Sequence, residues 1–368
     1  MDELIAELCP NGVEYKKLKE VASVSIGEFV HKNKQNPNGV YPVYNGGTSN
    51  TGFYDEFNMT ANKIIISARG ANAGFVNRVF VDFWAGNSCY TISVKEKYLD
   101  WNFTYYVLKN SENKLINEQQ KGGIPAVSKK HVEEFYIPLP PLPVQQEIVR
   151  ILDNFTELTA ELTAELTARR KQYEYYRNLL LTFNDEVEWT TLGEVATNLD
   201  SKRKPVAKGK RKAGKYPYYG ASGVVDYVDD YIFDGDYLLV SEDGANLVAR
   251  VTPIAFSATG KIWVNNHAHV LEFKTYEDRK FIEYYLNMID LSRFVSTAAQ
   301  PKLTQDNLNK IPVPTPSFEE KKRIVAILDR FDVLCNDLTS GIPAEIEARQ
   351  KQYEYYRDKL LTFKEVKA

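Results

Sequence analysis

The chain repeats itself, and this constrains its fold more than any other feature of the sequence. KQYEYYRNLLLTF at 171–183 returns as KQYEYYRDKLLTF at 351–363, with only Asn178/Asp358 and Leu179/Lys359 differing. The correspondence extends well outside this block. EYKKLKEVA (14–22) matches EWTTLGEVA (188–196), and ISARGAN (66–72) matches VSEDGAN (240–246). FYIPLPPL (135–142) matches IPVPTPSF (311–318), and EIVRILDNF (147–155) matches RIVAILDRF (323–331). The offset stays between 174 and 180 residues. Solenoid repeats have periods of roughly 20–50 residues, so this is one domain plan used twice rather than an array.

Each copy reads as a strand-rich α+β domain, a proline-rich stop and a long helix. KIIIS (63–67) and DYLLVS (236–241) are short apolar runs ahead of Gly-containing turns, as strands are. GFVNRVFVDFWAG (74–86) and GKIWVNNHAHVLEF (260–273) alternate in strand fashion, whereas 106–119 and 281–295 have helical periodicity. Ile148, Ile151, Leu152, Phe155, Leu158, Leu162 and Leu166 form a stripe that continues through Tyr173, Tyr176, Leu180 and Phe183. This predicts a helix over 144–183 of roughly 60 Å. The second stripe (Ile324, Ile327, Leu328, Phe331, Leu334, Leu338) is interrupted at Gly341-Ile342-Pro343, where a kink is expected, and resumes to Phe363. The two stripes are expected to bury each other as a coiled coil. The expected boundaries are 1–142 and 184–317 for the domains, with 143–183 and 318–368 for the helical segments.

Motifs for chemistry are scarce. Cys9, Cys89 and Cys335 are far apart, with no CxxC zinc signature or disulfide framework. GKRKAGKY (209–216) has the glycine and lysine spacing of a phosphate loop, but Tyr216 replaces the Mg²⁺-binding hydroxyl and no strand–loop–helix context is expected. His267 and His269 are expected on one face of a strand without a third ligand, so no metal site is predicted. There is no GxSxG, HExxH or Asn/Asp-Pro-Pro-Tyr motif. No apolar run reaches 18 residues and the acidic MDELIAELCP start lacks a signal-peptide pattern, so a cytoplasmic protein without a membrane association is expected.

Charge is the remaining signal. The net charge of −3 argues superficially against nucleic acid, but it is an average over unlike segments. SKRKPVAKGKRKAGK (201–215) carries Lys202, Arg203, Lys204, Lys208, Lys210, Arg211, Lys212 and Lys215 without an acid. Its counterpart in the first copy is the milder HKNKQNPNG, with His31, Lys32 and Lys34. Both precede Gly-containing, Tyr-rich loops, and both are candidate phosphate contacts along double-stranded DNA. Arg69 and Asn72, in the turn equivalent to Asp243–Asn246, are candidate base readers, as is Asn246. Gln119, Gln120 and Lys121 are further candidates, corresponding roughly to Thr297, Gln300 and Lys302.

These residues resemble the specificity (S) subunits of type I restriction-modification systems over nearly the whole chain. The resemblance rests on the duplicated helix blocks, on IPLPPLPVQQEIVRILDNF and IPVPTPSFEEKKRIVAILDRF, and on KQYEYYR twice. TAELTAEL (159–166), flanked by partial copies, resembles the subgroup with tandem Thr-Ala-Glu-Leu spacer units. The resemblance implies two target-recognition domains reading the halves of a split asymmetric DNA site, held apart by two antiparallel helices with a pseudo-twofold relation. It implies that the helices dock two methyltransferase (M) subunits, with Tyr173, Tyr176, Arg177, Tyr353, Tyr356 and Arg357 on the interface helices, and that restriction (R) subunits join them. It further implies that this chain is non-catalytic and binds no cofactor, S-adenosylmethionine belonging to M, and ATP and Mg to R. The competing readings are a stand-alone DNA-modifying enzyme or nuclease with an unrecognised active site, and a coiled-coil adaptor without a DNA role.

Overall fold

The computed structural model describes residues 1–117, 124–184, 186–296 and 300–366. They form two compact units, Met1–Leu162 with Ile346–Ala368, and Thr163–Glu345.

The first unit is built on a four-stranded antiparallel sheet in the order Ala22–Ile26, Cys89–Val94, Lys63–Ser67, Val76–Val79. Ile64 and Ile66 face the main core, while Ile65 faces a smaller cluster with Val79 and Phe83. Both faces of this strand are covered, which is why it reads as an unbroken apolar run rather than an alternation. A second sheet joins Gly52–Tyr54, Tyr41–Tyr44 and, in parallel, Trp84–Ala85. A third pairs Glu14–Lys17 with Tyr136–Leu139, setting Tyr15 opposite Pro138.

The second unit repeats this strand order as Thr197–Asn198, Ala268–Glu272, Phe233–Ser241, Ala255–Val264. Here the fourth strand runs unbroken for ten residues. Its far end pairs in parallel with Ala213–Gly220, which pairs with Gly223–Val228, so one six-stranded sheet results. Trp189 opposite Pro314 repeats the Tyr15–Pro138 pairing. Strand Ala213–Gly220 lies directly after the 209–212 segment, and no helix opens there, so a phosphate loop is excluded.

Leu142–Leu181 is one helix of 40 residues. Pro143 lies in its first turn, where a missing N–H costs nothing. The expected kink in the second segment is instead a complete break. The helix Phe318–Asn336 ends, and a new one runs from Ile342 to Leu360. Between them the Asp337 carboxylate accepts from the Thr339 N–H at 2.7 Å and from the Thr339 and Ser340 hydroxyls. These donors hold its carboxyl down at about 2. Pro343 then falls in a first turn, where it starts a helix rather than bending one.

The helices close the two units reciprocally. In the first unit Ile148 and Leu152 are fully buried, and Phe155 packs on Tyr353 and Tyr356. In the second, Ile324 and Leu328 are fully buried, and Phe331 packs on Tyr173 and Tyr176. Phe363 meets Phe103, and Phe183 meets Phe281, at 6.4 and 6.0 Å between ring centroids. Each compact unit thus combines the strand-rich body and the first part of the helical segment of one sequence copy with the end of the helical segment of the other. The chain end completes the first unit: Val13 donates to the Lys364 carbonyl and accepts from Val366. Gly12, at φ +98°, makes room there, because a Cβ would stand 2.4 Å from the Lys364 oxygen.

Candidate nucleic-acid interface

The basic segment of the second unit is ordered by its own arginines and tyrosines. Arg211 donates from Nε to the Val206 carbonyl, pairs through Nη1 with Asp226 at 3.1 Å, and lies 4.3 Å over the Tyr218 ring. The Tyr218 hydroxyl accepts from the Val206 N–H, and the Trp263 indole donates to the Lys204 carbonyl at 2.7 Å. Arg203 points inward. Lys202, Lys204, Lys208, Lys210, Lys212 and Lys215 are exposed. The eight cations therefore divide into two that fold the segment and six that face solvent.

The first unit has the same device on a smaller scale. Lys32–Lys34 forms a 3₁₀ turn, as Lys208–Lys210 does, and His31, Lys32 and Lys34 are exposed. The Trp84 indole donates to the Glu28 carbonyl at 2.8 Å, as Trp263 does to Lys204.

Each unit also turns a backbone corner that is held by the same hydrogen bonds in both. Val127 N donates to Ala68 O, and Leu303 N to Glu242 O. Gly70 N donates to Pro125 O, and Gly244 N to Pro301 O. Arg69 bridges Ala126, and Asp243 bridges Lys302. Residues 69 and 243, and residues 126 and 302, are therefore structural equivalents. Lys302 thus answers to Ala126 rather than to Lys121.

The side chains at these corners differ in kind. Beneath the exposed Arg69 the first is uncharged: the Tyr90 hydroxyl donates to Val127 O at 3.1 Å, and Ala68 and Ala126 carry no charge. Tyr90 pairs with Ile66, as His269 pairs with Val240. The second corner is an ion network. His269 is fully buried, with Nδ1 2.5 Å from Asp200 Oδ2 and Nε2 2.8 Å from Leu303 O. Arg203 joins Asp200 (3.2 Å) to Glu242 (2.6 Å), and Lys302 reaches Glu242 at 3.0 Å. Burial opposes ionisation of Asp200. The His269 ring, the Val270 N–H and the Arg203 guanidinium outweigh it and hold the carboxyl below its ordinary range. Glu242 is lowered against burial in the same way by Arg203 and Lys302.

Asp200, Glu242 and His269 approach metal-ligand spacing. Arg203 and Lys302 already engage the carboxylates, however, so the charges are balanced within the protein. His267 is not on the strand face with His269. It lies in the preceding turn, where its Nδ1 meets the Asp243 carboxylate at 2.8 Å.

The other candidates differ in exposure and pairing. Arg69 and Asn72 are exposed, and Arg69 has no acidic partner among the described residues. The Asn246 amide is consumed at both ends by the Thr252 backbone, at 2.9 and 3.0 Å. Gln300 and Lys302 are exposed. Gln119, Gln120, Lys121 and Thr297 lie outside the described residues. Sequence reasoning missed Asp200, Glu242 and His269 as a group, because nothing in their spacing signals a contact.

On the helices, Tyr173, Tyr176, Tyr353 and Tyr356 turn toward Phe331 and Phe155. Arg177 and Arg357 lie over the Tyr173 and Tyr353 rings. On the outward side of the helices, the second unit carries Tyr175 and Leu179 and the first carries Tyr355, each more than half exposed.

The family model for the type I restriction modification DNA specificity domain matches twice, at residues 10–169 and 184–348. The chain belongs to this family. The type I restriction enzyme EcoR124I/EcoR124II specificity subunit of Escherichia coli is 34% identical over 291 residues, covering 71% of this chain and 70% of that one. A putative type I restriction enzyme specificity subunit of Haemophilus influenzae, S.HindORF215P, is 40% identical over 185 residues. That alignment covers 49% of this chain and 48%, about half, of the relative's length. The crystal structure of the type I restriction-modification S subunit from M. genitalium shares the fold, with a TM-score of 0.70 at 21% identity over 95% of this chain and 96% of that one. These are specificity subunits, and the stand-alone enzyme alternative draws no support from them. Among the described residues, no helix is long and apolar enough to cross a membrane.

Proposed function

We propose that the two units are the recognition elements of a DNA-specificity subunit, each reading one half of a split asymmetric site. The observation that carries this is the pair of equivalent corners, which share a backbone frame and carry different side chains, each in a unit that also bears an exposed Lys-X-Lys turn. A shared frame with different side chains is what two different half-sites require, and the lysines supply sequence-independent phosphate contacts. The protein's role is recognition without catalysis. S-adenosylmethionine acts in two partner M subunits, and ATP with Mg in partner R subunits, within a cytoplasmic complex. Tyr175 and Leu179 in the second unit, and Tyr355 in the first, are the helix positions that meet partners. The Thr-Ala-Glu-Leu units within Leu142–Leu181 set the distance between half-sites.

Genome-wide mapping of adenine methylation in cells carrying this chain with its cognate M subunits tests the reading. A bipartite, asymmetric motif is expected. A palindromic motif, or none, overturns it.

A further inference from the structure

The two corners differ not only in charge but in which atoms they leave for a ligand. In the first, Arg69 is exposed and unpaired by any acid among the described residues, while its backbone is pinned by the bridge to Ala126. The flanking loop is tied in place: the Ser67 hydroxyl donates to Gly47 O at 3.0 Å, and the Ser88 N–H donates to the Asn45 side-chain oxygen. In the second, Asp243 at the equivalent position is not free. Its two carboxylate oxygens lie 3.0 and 2.8 Å from His267 Nδ1. His267 is itself held by its N–H on the Asn265 side-chain oxygen, yet its side chain is 49% exposed. Its counterpart in the first unit is Ser88, since Ala68 N donates to Ser88 O as Glu242 N donates to His267 O.

We propose that Arg69 and His267 are the base-reading side chains of the two corners, and that Asp243 is a positioning residue for the His267 ring. This rests on the reading of the units as DNA-recognition elements and adds which residues discriminate and by what chemistry. A carboxylate only accepts, so Asp243 holds a proton on Nδ1, and in that tautomer Nε2 is an acceptor left for a base edge. An acceptor there selects an exocyclic amine, adenine N6 or cytosine N4. Arg69 is a donor fork and selects guanine O6 and N7. Opposite hydrogen-bond polarity on the same frame makes the two half-sites unlike at the corresponding base.

The buried network stiffens the second corner. Glu242, next to Asp243 in the chain, is clamped by Arg203 from the root of the basic segment and by Lys302 from the opposing loop. The start of the basic segment and the Asp243 turn are thereby tied to one buried carboxylate.

The test uses the complex of this chain with its M subunits, reading methylated motifs with Arg69→Ala, His267→Ser and Asp243→Asn. Arg69→Ala is expected to relax one position of one half-site by about tenfold or more, leaving the other half-site intact. His267→Ser is expected to relax one position of the opposite half-site, and Asp243→Asn to weaken that same position. The untouched half-site in each variant reports that the protein is folded. Unchanged motifs overturn the proposal. So does a uniform loss across all sequences, which would make these residues backbone contacts. If the unaltered complex yields no bipartite motif, the parent reading fails instead.

Discussion

Tyr356 stacks on Phe155 with ring centroids 5.7 Å apart and planes 24° apart, although the two residues belong to different copies of the sequence repeat. Tyr176 stacks on Phe331 in the second unit with the same 5.7 Å separation, at 27°. The duplication is therefore used reciprocally: each unit takes in the end of the other copy's helical segment. Phe155 is half-buried, so Phe155→Ala is expected to cost about 2 kcal/mol. A double-mutant cycle with Tyr356→Ala in urea denaturation should give a coupling of about 1 kcal/mol. Additive effects would show that the rings merely adjoin.

The buried network predicts an acid-sensitive second unit. Asp200 and Glu242 are held below their unfolded values of 3.8 and 4.5. A depressed carboxyl contributes stability that is present above the unfolded pKa and is lost as pH falls through the folded pKa. The contribution should be complete at about pH 6 and decline below about pH 4.5. Glu242→Gln removes the carboxylate from Lys302 and leaves Arg203 with Asp200 alone, and should cost about 2 kcal/mol at neutral pH. It should also flatten the decline at acid pH. Parallel pH–stability curves for the two proteins would refute the assignment.

The division of the basic segment into structural arginines and exposed lysines has a thermodynamic signature. Replacing Lys208, Lys210 and Lys212 with Ala should weaken binding to every DNA sequence. It should also flatten the plot of log K against log salt by roughly 0.9 for each phosphate no longer neutralised. Arg211→Ala should instead loosen the segment, seen as faster amide exchange around Val206 and Tyr218, with a smaller change of slope. Equal slope changes from Arg211 and from a lysine would contradict the division.

The outward helix face is separable from the inward one. Tyr175→Ala with Leu179→Ala should weaken association with M subunits in a pull-down or titration while shifting the melting temperature little. Tyr176→Ala should do the reverse, lowering stability first. Loss of M binding from Tyr176→Ala alone, with stability intact, would contradict the separation.

The proposed ruler role of the spacer repeat is tested by shortening it. Removing Thr163–Leu166 takes about 6 Å from the helix and rotates its downstream part by about 40°. Methylation mapping should then show the half-sites closer by about one or two base pairs, at about 3.4 Å per pair. The same spacing after the deletion would end the ruler idea.

Much of this fold was legible in the sequence, because it rests on local burial. Ile64–Ile66 and Leu238–Val240 are covered on both faces and so read as apolar runs, and the stripe from Ile148 onward marks the 40-residue helix. The duplication, the interruption near Pro343 and the basic segment are equally properties of neighbouring residues. Tertiary structure alone decided which groups remain free. Arg203 and Lys204 are adjacent in the chain, yet Arg203 is sealed against Asp200 and Glu242 while Lys204 faces solvent. Asn72 and Asn246 occupy matching turns in the sequence, but only Asn246 spends its amide on a neighbouring loop. The His269 network joins segments 69 and 34 residues apart through Asp200 and Leu303. Periodicity records which face of an element is buried. Pairing of charges depends on which distant loops the sheet brings together, and no local pattern encodes that.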